Sequence, residues 1–143
     1  MERVIELLGE KNHFLEKFFC VNERELINFE KGDFDNIESF YQAREKVLEL
    51  IRCIDGLIHE ENERSAGRGV TEMDRQEVEA LLKAKDGWVA AILAQDLRVL
   101  SCIEKEKSNI IRELRATSSA KRAVSAYRGI EVPSPQPQFD DKI

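Results

Sequence analysis

The residues able to do chemistry in this chain are few and poorly grouped. Only two histidines occur, His13 and His59. Glu10 and His13 have the Glu-x-x-His spacing of di-iron helical bundles, which puts a carboxylate and an imidazole on one helix face. Such a site needs a second copy of the motif, and Gly56 stands where His59 would need its glutamate. His59-Glu60-Glu61 lacks the second histidine of a zinc-protease helix. Acidic pairs such as Glu60-Glu61 read as solvated helix surface. No glycine-rich phosphate loop and no nucleophile elbow are present. No nucleophile, base and orienter can be assembled, so no catalytic residues, no metal and no cofactor are expected. The three cysteines, Cys20, Cys53 and Cys102, are odd in number and form no Cys-x-x-Cys pair. Their apolar helical neighbours predict buried, reduced thiols and no disulfide framework.

What the chain offers instead is long amphipathic helix. The 143 residues are 35% charged and only 7% aromatic. All three prolines fall between Pro133 and Pro137. The stretch from Thr71 to Tyr127 is proline-free, and Gly87 is its only glycine. Within it Val78, Leu81, Leu82, Val89, Ile92, Leu93, Val99, Leu100, Ile103, Ile110, Ile111, Leu114 and Val124 recur at three- and four-residue steps, the period of one helix face. Thr71 followed by Asp74 is a capping-box-like start. Gly87 should mark a kink or a close backbone approach. The rest of the chain should exist to cover this helix's stripe.

Two helices precede it. Residues 2–30 carry a stripe that includes Val4, Leu8, Leu15, Phe18, Leu26 and Phe29, broad enough to touch two neighbours. Gly32 can take the left-handed position that ends a helix, and Asp33 or Asp35 can cap the next. A second helix is expected over about 35–65, with Phe40, Val47, Ile51, Ile54 and Ile58 inward and Glu60 paired to Arg64 outside. Arg44 and Asp55 fall near its apolar seam and read first as snorkelling or flank positions, with a register-setting polar contact as the alternative. Gly67 and Gly69 allow the second reversal. The expected fold is all-α: three long antiparallel helices in an elongated, coiled-coil-like bundle over residues 1–129. An extended C-terminal helix and a flexible, proline-bearing tail over 130–143 complete it.

The lengths leave an overhang. Helices of about 30 residues cover the third only to about residue 105. Residues 106–127 should then present uncovered apolar surface, which marks an interaction site. The expected partner-binding residues are Ile110, Ile111, Leu114, Arg115, Ala123, Val124 and Tyr127. An external partner, pairing with a second copy (a homodimer) and folding back are the alternatives. The formal charge of −6 is uneven. Residues 1–104 hold 14 basic and 23 acidic side chains, and 105–143 hold 8 and 5. The cations either complement a helix C-terminus or form a basic arm for an acidic partner. The acidic body opposes nucleic-acid binding. No apolar run approaches the length of a membrane span. Met1-Glu2-Arg3 opens on amphipathic pattern and not on a signal peptide. The expected setting is therefore cytoplasmic.

The pattern resembles the flagellar type III export chaperones of the FlgN type, which escort hook-associated proteins. The residues that carry the likeness start with Leu7-Leu8-x-Glu10-Lys11, Leu15-Glu16 and Gly32-Asp33-Phe34-x-x-Ile37. They continue with Arg44-Glu45-Lys46-x-Leu48-x-x-Ile51, Asn109-Ile110-Ile111 and Ala123-Val124-Ser125-Ala126-Tyr127-Arg128-Gly129. The likeness spans about residues 1–129, and the proline-bearing tail departs from it. It implies a non-enzymatic chaperone whose C-terminal helix binds an aggregation-prone segment of an exported flagellar protein. It also implies that Tyr127 contacts the gate of the export apparatus. A structural helical adaptor or self-associating coiled-coil protein is the alternative.

Overall fold

A computed structural model describes residues 1–127, which form three helices and no strand: α1 (Glu2–Glu30), α2 (Ile37–Ser65) and α3 (Glu72–Tyr127). The fold is all-α. The tail read from the sequence at 130–143 lies outside the described residues. The described residues divide into two units, one ending at Leu100 and the other beginning at Ser101. The physical reason is burial. The last buried side chain of α3 is Val99, and none of the described residues from Ser101 onward is buried.

The first reversal is built as the glycine suggested. Gly32 adopts φ +81°. Its N–H donates to the Phe29 carbonyl and the Asp33 N–H donates to that of Asn28, both at 3.0 Å. That is the paired closure of a Schellman end. Phe34 then stacks on Phe29 at 4.9 Å, and Phe40 meets Phe29 edge-on at 5.1 Å, so aromatic packing locks the turn. The cap assignments differ from expectation. Asn36, without a side-chain cap bond, is the N-cap of α2. The Asp33 carboxylate instead accepts from the Asp35 N–H inside the turn. At the second reversal Gly67 has φ +85°. Thr71 Oγ1 accepts from the Asp74 N–H at 3.1 Å and opens α3.

Within Met1–Leu100 the helices run up, down and up. The helix around which this unit is organised is α1, not α3. Eight of its residues are buried, against three each in α2 and α3, because α1 faces both neighbours. Leu15 and Phe18 pack with Ile51 of α2 and Ile92 of α3, and Phe14, Phe19, Val47, Leu48 and Trp88 close around them. Polar contacts fix the register of α1 against the parallel α3. Asn12 donates to the Leu81 carbonyl at 3.0 Å. One layer along, the fully buried Asn22 donates to Gln95 Oε1 at 3.1 Å, and Gln95 Nε2 donates to the Phe19 carbonyl and to Glu23. Sliding either helix by one turn would strand these amides without partners.

Two seam charges are interhelical ties, the second of the two readings that the sequence allowed, in place of snorkelling. The Arg44 guanidinium bonds Asp96 of α3 at 3.0 Å and lies over the Phe18 and Phe40 rings at 4.9 and 5.1 Å. Asp55 pairs with Lys11 of α1 at 2.7 Å. Arg64 pairs with Glu61 and not with Glu60. Gly87 marks no close approach: a Cβ there would meet nothing within 4 Å, and α3 runs on through it without a break. The same holds for Gly56 in mid-α2. Gly56→Ala should therefore stabilise the fold by about 0.5–1 kcal/mol. A raised urea midpoint at unchanged m-value would show it. A fall in midpoint would mean that space at Gly56 is needed.

Candidate functional site

The helix from Ser101 to Tyr127 positions every residue expected to bind a partner. At about 100° per residue, Ile110, Leu114 and Val124 share one row. They are 49%, 43% and 50% exposed. Ile111, half-buried, lies about 100° to one side of Ile110, and Tyr127, 93% exposed, lies about as far to the other. Arg115 and Ala123 do not join that row, being turned about 140° from Ile110 in opposite senses. Arg115 instead lines a shallow depression of about 320 Å³ with Ser118, Ser119 and Arg122. Lys107 lies about 60° from Ile110 and borders the row, while Thr117 and Lys121 lie within it, about 20° from Ile110, between Leu114 and Val124. Such a face can bind the apolar side of an acidic amphipathic helix, and nothing in it is arranged for bond-making chemistry.

Sequence reasoning missed a second uncovered surface, within Met1–Leu100. The apolar stripe of α3 is wider than its neighbours cover. One edge, with Ile92, Gln95 and Val99 buried and Trp88 half-buried, faces α1. The other edge, Leu82, Val89, Leu93, Leu97 and Leu100, is 39–69% exposed. The signal was present in the sequence as a stripe too broad for one seam, but which edge α1 takes depends on the Asn22–Gln95 layer.

The remaining candidates for chemistry stay apart. Glu10 and His13 are both exposed, and His59 bonds only Glu63, at 3.2 Å. Among the described residues no three of His, Cys, Asp and Glu converge as a metal site would require. The cysteines correct the expectation of burial: Cys20 and Cys53 are exposed and Cys102 is half-buried, all three unpaired. Cys20 and Cys53 sit on the polar sides of their helices, where apolar neighbours in sequence are not neighbours in space, while Cys102, three residues beyond the buried Val99, lies toward the covered side of α3. Cys20 and Cys53 should react with a thiol reagent in the native protein about as fast as in denaturant. The variant with all three changed to alanine should melt within about 1 kcal/mol of the parent. Strong protection of Cys20 would contradict the placement of that face.

No protein-family profile and no solved structure matches the chain. Over 51 residues it is 31% identical to a holo-[acyl-carrier-protein] synthase of Caldanaerobacter subterraneus subsp. tengcongensis. The match covers 36% of this chain and 40% of that enzyme. The chain thus spans well under half the length of the curated relative that it matches. Among the described residues no helix is long and apolar enough to cross a membrane.

Proposed function

We propose that the protein is a non-enzymatic, cytoplasmic export chaperone. It holds an aggregation-prone amphipathic helix of a flagellar hook-associated protein and presents it to the type III export apparatus. The observation that carries this reading is the exposed row Ile110, Leu114 and Val124 on a cation-bordered helix. The FlgN-type resemblance supports it from the same segment. A client helix lays i, i+3 and i+4 anchors along the row and removes apolar surface from water on both sides. The cations speed encounter with an acidic client more than they slow its release. Tyr127, almost wholly exposed at the end of the described helix, lies outside the apolar row and suits a separate contact with the export gate.

The test is calorimetry with purified hook-associated proteins, preceded by co-purification from flagellated cells. Binding should weaken at least about 100-fold in Ile110→Asp/Leu114→Asp, since two buried anchors are each worth about 1.5–3 kcal/mol. Unchanged affinity in that variant, with helicity intact, would remove the site from this helix.

A further inference from the structure

The helix beyond Ser101 carries a basic face turned away from its apolar row. Arg112 and Arg122 lie within about 60° of Arg115, which is itself about 140° from Ile110. From Lys105 to Tyr127 the other positions within that arc are small, Ser108, Ser118, Ser119 and Ala126, apart from Ile111. Glu104 closes the arc at its near end, and Glu106 and Glu113 lie on the opposite side, about 180° and 160° from Arg115. These arginines do not serve the helix dipole. That field acts within the last turn, and the last turn of α3 holds no cation. Of the two uses that the sequence offered for the C-terminal cations, a basic arm for an acidic partner is the one that this placement fits.

The chemistry of the face selects the kind of anion. A guanidinium fork takes a carboxylate or a phosphate through two parallel bonds. Arg115, Ser118, Ser119 and Arg122 outline the depression of about 320 Å³, and the two hydroxyls can donate to the same anion. The small side chains between the forks let another backbone come close. An acidic helix lying along the face would set carboxylates three, four and seven residues apart against arginines spread over about 15 Å. Nucleic acid fits less well. The arc has no aromatic side chain on which a base could stack, and residues 1–104, with 23 acids against 14 bases, repel a polyphosphate. A membrane surface would call for large apolar side chains beside the cations, and Ile111 is the only one in the arc.

We propose that Arg112, Arg115 and Arg122 form a docking face for an acidic helix of a partner protein. The proposal does not rest on the export-chaperone reading, because none of these residues belongs to the row Ile110, Leu114 and Val124. The probe is a dye-labelled, alanine-based helical peptide of about 24 residues with its glutamates along one side, titrated into the full chain and followed by anisotropy. A peptide of the same composition with its glutamates spread around the helix is the control. The one-sided peptide should bind at least about tenfold more tightly. Arg112→Gln/Arg115→Gln/Arg122→Gln should weaken it at least about tenfold and leave helicity unchanged, since all three side chains are exposed. Ser119→Trp keeps every charge but fills the space between the forks, and should weaken it by the same order. Ile110→Ser/Leu114→Ser should leave it within about twofold of the parent, which separates this face from the apolar row. Equal binding of the two peptides, or full affinity in the triple variant, would overturn the proposal. So would tighter binding of single-stranded DNA or of phosphatidylglycerol vesicles, or a dimer of the parent that the triple variant dissolves.

Discussion

Replacing Phe18 by alanine should cost about 3–5 kcal/mol of unfolding free energy. The ring is 4% exposed and belongs to the cluster of Leu15, Ile51 and Ile92, where all three helices meet. Removing it leaves a void that rigid helix backbones cannot close, so the lost transfer energy and the cavity cost add. Electrostatics adds a further loss. Arg44 lies 4.9 Å above this ring while bonding Asp96, so the ring also supports the α2–α3 tie. Phe18→Leu keeps most of the volume but not the aromatic face, and should cost under about 1.5 kcal/mol. Urea unfolding monitored by Trp88, which packs against this cluster, measures both. A Phe18→Ala loss below about 1 kcal/mol would show that the stripe of α1 has been misassigned.

The features legible in the sequence were those set by neighbouring residues. Gly32 and Gly67 had to supply left-handed turns, and Thr71 had to cap the start of α3; both are local physics and the structure shows both. The all-α fold came from apolar period in the same way. What the sequence hid depends on partners far along the chain. Arg44 finds Asp96 across 52 residues, and Gln95 finds Asn22 across 73. Polar residues at such positions look like surface until the second helix is in place. The choice of α1 as the central helix was hidden for the same reason. The length of α3 suggested that the chain was organised around it, but length does not measure burial. The cysteines misled because flanking apolar residues three and four positions away share a face, whereas adjacent ones do not.

Truncation after Glu106 should abolish client binding and leave the fold of Met1–Leu100 intact. Every buried side chain of the described structure lies at or before Val99, so the deletion removes no core contact. The melt should stay cooperative with a midpoint near that of the full chain. Helical signal should fall by about the share of residues deleted, which separates loss of the site from loss of the fold. Burial of apolar surface supplies the affinity. Ile110, Leu114 and Val124 each keep 43–50% of their surface in water, and that surface is open to a client without unpacking any core. Docking then gains about 25 cal/mol for each Å² of apolar surface covered, and the ordering of the client's helix opposes it. Lys107, Arg115, Lys121 and Arg122 are removed with the row. Their separate part shows as steep salt dependence of the association rate in the full chain. Tyr127→Ala should spare client affinity and reduce engagement with the export gate, because the ring lies about 100° from Ile110 and outside the apolar row. Client titration by calorimetry, with export assayed in cells lacking the native protein, distinguishes these outcomes. Full client affinity in the truncated chain would move the binding surface into Met1–Leu100, with the exposed edge of α3 as the next place to test.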